Sequence, residues 1–458
     1  MRGSSVGASH GEAAVTGSAN FLVKRVLFVS QEPGTVAGPA LAKGQRHVVI
    51  IGAGMVGLST AWYLQEHGVQ VTVVERSGVA AGSSWGNAGW ISPGLCVPLS
   101  DPSVIKYGVK ALLDPDSPLY VPLKPDVGLA RFLLGFAARC TPGQWKKTMD
   151  KFVPVNRRAI EAYDELESHG VTARSHEAPI MAAFRRAQDA AGLEHEVELI
   201  HAAGLELEAT EIDNATLRAE LPIVSADVEK AIRLGGQRYI NPGEYVAALA
   251  EAVKERGGEL VIGSNARALR HGPGGVTVEM VSGTPISGTD VVIATGAWLP
   301  ELAKRCGVKV QLRAGRGYSF SVAVTDPANR PVPCPVYFPY ERIACTPLGD
   351  RLRVGGTMEF ADTEDPLQEG RVDAIVKGGR PLLTGVDWDD RQDTWVGGRP
   401  VTVDGLPLVG ATDVPGVWVN GGHGMWGITL GPLSGKLLAQ QMVTGRTPSE
   451  LVPFSPTR

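Results

Sequence analysis

At 458 residues the chain exceeds the size at which one hydrophobic core usually stops growing, so two domains are expected. Its 43% apolar and 20% charged residues describe an ordinary globular protein, and a formal net charge of -4 with only scattered basic pairs excludes a nucleic-acid partner. The five cysteines form no CxxC or Cys/His zinc spacing, which predicts no metal site and a reduced, cytoplasmic setting.

Residues 1–44 are small and polar, and their apolar piece FLVKRVLFV is broken by Lys24 and Arg25. This predicts a flexible extension rather than a signal peptide. No apolar run approaches the ~20 residues that span a bilayer, so the only membrane association left open is peripheral contact with an inner membrane.

From His47 the text reads HVVIIGAGMVGLSTAWYLQEHGVQVTVVERS. HVVII is short and continuously apolar, as a buried parallel strand would be. Gly52, Gly54 and Gly57 then supply GxGxxG. A helix is predicted from about Met55 to His67, stopped by Gly68, and a second strand ends on Glu75. In such a turn the first glycine permits the bend, the second lets backbone approach a pyrophosphate, and the third lets helix and strand pack closely. Ala53, Met55 and Val56 share the loop and the helix N-terminus, where amides and dipole favour an anion. Glu75 stands where an acid binds ribose hydroxyls, with Arg76 beside it, and this disfavours a 2′-phosphate.

The stretch GVAAGSSWGNAGWISPG, from Gly78 to Gly94, is too rich in glycine and serine for a normal helix start. Ser83, Ser84, Asn87, Ala88, Gly89 and Trp90 could lay amides and hydroxyls along a pyrophosphate and beside a flat ring. Residues 101–235 carry no dinucleotide signal. Proline-rich turns lead there to one longer amphipathic helix candidate in WKKTMDKFVPVNRRAIEAYDELESHG. Helix, Gly-Gly stop and strand follow in INPGEYVAALAEAVKERGGELVIG, and DVVIATGAW is a buried strand ending at Thr295 and Gly296. GYSFSVAV, VYFPY, RIACTP and RLRVGGTMEF predict an antiparallel sheet. VWVN is a returning strand, and GGHGMWG is the turn into a last helix whose N-terminus would face a ligand. Side chains at Gly422 or Gly424 would crowd that ligand, and Met425, Trp426 and Gly427 complete the turn.

The opening βαβ, GSSWGNAGWISPG, VVIATGAW, RVGGTMEF, GGRPVTVDGLPLVG and NGGHGMWG occur in the order seen in the FAD-dependent amine-oxidising flavoenzymes, the D-amino-acid oxidase superfamily. The chain resembles this family over roughly residues 45–446, most closely its D-amino-acid dehydrogenase and glyphosate oxidoreductase branch. The resemblance implies an α/β fold: a Rossmann-type FAD-binding domain (45–100, 236–308 and 391–458) interleaved with an α+β substrate domain (101–235 and 309–390) that contains an antiparallel sheet. It implies non-covalent FAD, since no Cys or His matches a flavin attachment site, with Gly398 and His423 added to the cofactor contacts. The implied reaction is hydride transfer from an amino acid, foremost a D-amino acid, giving an imino acid that hydrolyses to a 2-oxo acid and ammonia. A secondary amine as substrate, or a non-catalytic flavin-binding subunit, are the alternatives. The electron acceptor is left open among O2, a quinone and a carrier protein.

Such chemistry needs orientation more than side-chain catalysis. Arg342 is the leading carboxylate clamp, against an exposed strand arginine. Tyr318 and Tyr337 are hydroxyl contacts or buried packing. His423 could tune the flavin, touch substrate, accept a proton, or serve only as a turn histidine. Arg399 would neutralise charge near the flavin or brace its loop.

Overall fold

Residues His47–Ile51 form strand β1, buried at all five positions. It needs no polar face because both of its faces are covered. Val48 and Ile50 join one core cluster, while Val49 and Ile51 join another on the opposite side. In this computed structural model, which describes residues 46–102, 117–121 and 125–458, β1 pairs in parallel with strand β2 (Gln70–Glu75) and with Asp290–Ile293. The complete sheet has six strands. Glu259–Ile262, β2, β1, Asp290–Ile293 and Val417–Gly421 run parallel, and Leu408–Ala411 closes the edge antiparallel.

Between β1 and β2 runs helix α1 (Met55–Glu66), with Gly54 at its N-cap and Gly68 at φ +71° past its end. Nine of its twelve residues are buried. A helix hydrophobic nearly all round must be covered on several sides, and helices Pro242–Glu255 and Gly427–Thr444 supply that cover. The latter approaches closely because Gly435 has no side chain. A β-carbon there would lie 2.8 Å from the Thr60 nitrogen.

The second layer is a nine-stranded sheet built around three long antiparallel strands, Leu312–Val324, Arg351–Phe360 and Val386–Thr402. Tyr318, Phe320, Val322, Leu352 and Val354 form its apolar face, under helix Glu369–Gly379. The alternate residues are polar and meet the loop after β2. Ser319 Oγ donates to Gly86 O (2.7 Å), Thr346 Oγ1 donates to Ala88 O (2.6 Å), and Trp90 Nε1 donates to Thr346 Oγ1 (2.9 Å). These bonds lock the polar face of one sheet onto a loop of the other.

Two expectations are modified. The long helix expected across Trp145 to Gly170 is two helices, Pro142–Asn156 and Ala159–Ser168. Pro154 lacks an N–H and crowds the preceding turn, and the first helix ends two residues later. The division expected at 390/391 falls inside strand Val386–Thr402, which pairs with Leu312–Val324 from Val386 to Thr402. The extension over 1–44, and part of the stretch beyond Asp101, lie outside the described residues. Among the described residues no helix is long and apolar enough to cross a membrane.

Candidate active site

The turn after β1 is shaped by backbone collisions that only glycine avoids. Gly52 has φ +115°, and a β-carbon on it would lie 2.5 Å from Ala294 O. One on Gly57 would lie 1.9 Å from Gly52 O, so α1 rests directly on the turn. The Glu75 carboxylate reaches back to stiffen it, accepting from Ala53 N (3.0 Å) and Ser77 N (2.9 Å). Two amides leave lone pairs on those oxygens for further donors. Met55 N donates to Ser84 Oγ at 3.1 Å, which brings the serine-rich loop to the helix start.

Two helix N-termini therefore meet at one cleft, Met55 and Val56 from α1, Gly427 and Ile428 from the last helix. Unpaired amides at such ends favour negative charge. Its wall also includes Gly52, Gly54, Glu75, Arg76, Ser83, Ser84, Asn87, Thr295, Gly296, Arg399, His423, Gly424 and Met425. Two buried polar atoms belonging to wall residues, Thr295 Oγ1 and Asn420 Oδ1, have no hydrogen-bond partner. Buried polar atoms are normally satisfied, so both suit a polar ligand. Two helix N-termini that favour an anion, an acid at the end of β2 and two unsatisfied polar atoms together fit a dinucleotide.

Other expected cofactor residues stand behind the wall and shape it. Ala53 and Gly57 set the turn. Ala88 and Gly89 fix the loop; Gly89 has φ +78°, and a β-carbon on it would meet Ile240 O at 2.2 Å. Trp90 turns to Thr346, and Trp426 Nε1 donates to Val97 O at 2.9 Å. Gly398 O accepts from Ser83 Oγ. Gly422 corrects an expectation: a β-carbon there would meet Thr402 Cγ2 at 3.0 Å, so protein packing and a φ of +72° require the glycine rather than a ligand. Ser264, Asn265, Trp298, Glu301 and Asn420 line the cleft and were not anticipated. A usable signal existed for the first two, which follow a strand of the parallel sheet on the side where such sheets bind ligands.

The expected catalytic residues are dispersed. Arg399 lies on the cleft wall, and its Nη1 donates to Thr357 O at 2.9 Å. Burial lowers its pKa to about 10, which leaves it cationic at neutral pH. Thr357, a β-branched residue at φ +58°, holds a costly conformation that turns this carbonyl to the guanidinium. His423 also lines the cleft and is buried. Its Nε2 lies 3.0 Å from Ser434 Oγ, whose hydroxyl donates to Gly431 O at 2.9 Å. A hydroxyl has one proton, so Nε2 carries the hydrogen of this pair. Burial lowers the imidazole pKa to about 4, so it is neutral at physiological pH.

Arg342, Tyr318 and Tyr337 are not on that wall. Tyr318 is buried in the second sheet's core and donates to Glu359 Oε2 at 2.5 Å. Tyr337 packs edge-on against Trp90, with ring centres 5.5 Å apart. Burial raises its phenol pKa, and neighbouring Arg342 opposes the rise. Arg342 also acts on Glu196, whose carboxyl burial raises to about 7.

The sequence model of the FAD dependent oxidoreductase family matches residues 47–441, and that of the pyridine nucleotide-disulphide oxidoreductases matches residues 6–84. The D-amino acid dehydrogenase of Methylobacterium radiotolerans is 31% identical over 408 residues, covering 88% of this chain and 96% of its own. That of Cereibacter sphaeroides is 30% identical over 406 residues, covering 88% and 92%. Among solved structures, glycine oxidase from Geobacillus kaustophilus superposes with a TM-score of 0.68 at 20% identity, over 90% of this chain and 99% of its own. L-proline dehydrogenase from P. horikoshii gives 0.65 at 17%, over 90% and 97%.

Proposed function

We propose that this chain, which belongs to the FAD-dependent oxidoreductase family, oxidises free amino acids, foremost D-amino acids, to imino acids that water converts to 2-oxo acids and ammonia. The observation that carries the substrate class is identity of 30–31% along 88% of the chain to D-amino acid dehydrogenases. Bound FAD supplies the hydride acceptor. The residues suited to hold it are the β1–α1 turn, Glu75 at the ribose end, Ser83, Ser84 and Asn87, and the two helix N-termini.

Arg399 is our choice for the group that holds the substrate carboxylate. It lies on the cleft wall, on a strand segment that meets His423 and Gly424. A planar fork matches a carboxylate through two parallel bonds. Neutral His423 adds no charge there and cannot compete for the carboxylate. Its Nδ1 is the nitrogen left to accept a hydrogen bond, and the amine is the donor it suits. Arg342, Tyr337 and Glu196 form the competing constellation off the wall.

The test is anaerobic bleaching of the flavin by a panel of D-, L- and N-alkyl amino acids, followed by reoxidation with O2 or a soluble quinone. The expected result is fastest bleaching by D-amino acids. Faster bleaching by N-alkyl glycines would move the substrate to secondary amines. No bleaching by any member would leave a flavin-binding protein without this activity.

A further inference from the structure

Arg76 and Trp298 approach each other from opposite sides of β1. Arg76 follows the last residue of β2, and Trp298 lies five residues past Ile293 of the strand on the other side. Both line the cleft, and the Arg76 guanidinium stacks over the indole at 4.0 Å. The stack thus crosses the crevice above β1 at the end marked by Glu75. A third residue ties it from outside. Glu364, in the segment between strand Arg351–Phe360 and helix Glu369–Gly379, accepts from Trp298 Nε1 at 2.7 Å and from Arg76 Nη1 and Nη2 at 3.2 Å, all on one carboxylate oxygen. Its side chain is 67% exposed, so it sits on the outer surface of the crossing. Its own backbone is fixed, since Glu364 N donates to Asp362 Oδ1 at 3.1 Å. Glu301 and Asp362 are the other acids felt at this end.

We propose that Arg76, Trp298 and Glu364 form a strap across the ribose end of the cofactor cleft, that Glu364 fastens it, and that it must part for FAD to enter or leave. A protein that binds a long dinucleotide without a covalent bond needs a way to bury it. A stack flanking β1, fastened from the second sheet's side, supplies one. A lone exposed ion pair would contribute little. Here one oxygen holds two side chains that are already stacked, so removing the carboxylate loosens both, and the cation–π contact alone is weak at an exposed site. The proposal rests on FAD occupying this cleft, and it adds Glu364 and Trp298 to the groups that retain it.

The experiment measures FAD association and release by flavin fluorescence on the full chain, comparing wild type with Glu364→Gln, Glu364→Ala and Trp298→Phe. Wild-type titration alone tests whether FAD binds. The strap predicts release roughly 3- to 10-fold faster in Glu364→Ala. Association should rise as well, because a barrier common to both directions is lowered. Trp298→Phe keeps a ring under Arg76 but has no indole N–H, and should resemble Glu364→Ala. Glu364→Gln, which can still accept from the indole, should fall between. Added salt should speed wild-type release more than that of the alanine variant. Matching circular dichroism melts exclude a folding defect. Release within two-fold of wild type in Glu364→Ala overturns the proposal. Faster release with unchanged association would make Glu364 a simple contact, and would also overturn it.

Discussion

Gly317 and Arg399 face one another on neighbouring strands with no room between them: a β-carbon on Gly317 would lie 2.3 Å from the guanidinium carbon. The arginine therefore lies flat on bare backbone, its Nη1 held by Thr357 O. If Arg399 binds the substrate carboxylate, Arg399→Met should cost roughly 2–4 kcal/mol in the transition state, about 30- to 1000-fold in kcat/KM. Gly317→Ala should produce part of that loss by displacing an intact arginine. Stopped-flow reduction with an amino acid and with the matching amine lacking a carboxylate checks both. Selectivity for the amino acid should collapse in Arg399→Met and fall in part in Gly317→Ala. If it collapses in Arg342→Met instead, the clamp belongs to the constellation of Arg342, Tyr337 and Glu196.

Glu75 has two tasks, one toward the Ala53 and Ser77 amides and one toward the ligand. Glu75→Ala should weaken FAD binding by roughly 1.5–3 kcal/mol, the cost of stranding charged-acceptor bonds. Glu75→Gln should recover little, because its NH2 group would oppose one of the two amide donors. Fluorescence titration of the apoprotein gives the numbers, and an unchanged affinity in Glu75→Ala sinks the assignment.

His423 predicts a pH dependence of stability. Its folded pKa is near 4 against 6.5 unfolded, so at intermediate pH the unfolded chain binds the extra proton. Stability on this account is fully present above about pH 6.5 and is lost as pH falls toward 4, by an amount of the order of 3 kcal/mol. Denaturant melts between pH 7 and pH 4.5 should show the loss in wild type. His423→Asn should be less stable at pH 7 yet show a flatter profile. Parallel profiles would place the effect on other groups.

Gly435 tests the convergence of the two helix ends. Alanine is worth about 1 kcal/mol over glycine inside a helix. Here its β-carbon would press on Thr60 N at 2.8 Å and Ser59 C at 2.9 Å, which are backbone atoms that cannot rotate away. Overpacking of this kind costs roughly 1–3 kcal/mol, so Gly435→Ala should be destabilising by up to about 2 kcal/mol and should weaken FAD binding as the helix starts separate. A urea melt and a FAD titration on the same preparation check the pair of effects.

Most of the nucleotide half was legible in the text because its signals are local. The glycines, the apolar run and the terminal acid each specify geometry within a few residues, and β1, α1 and β2 formed where they were expected. The rest depends on pairing between distant segments. Arg342 and Arg399 look alike as residues beside predicted strands. Only the register of Val386–Thr402 against Leu312–Val324 carries one of them to the cleft. Trp298 and Glu364 are 66 residues apart, and nothing in either neighbourhood announces the other. Pro154 is different, since it gave a readable warning of the helix end that periodicity alone obscured.

The six-stranded sheet places Val417–Gly421 beside Asp290–Ile293, and the helix that follows supports α1. The cleft is thus sealed by its latest-made segment. Contacts of such long separation form late and slowly, because chain closure must precede any gain from pairing. During synthesis, β1 and β2 emerge hundreds of residues before the strand and helix that finish their sheet. Until then the glycine turn holds no complete cradle and apolar strand faces remain open, a state prone to association with other chains. Maturation with the cofactor consequently waits for the helix Gly427–Thr444 to be made. Supplying riboflavin during expression should raise the yield of soluble protein by capturing chains that have just closed, more than by assisting those still being made.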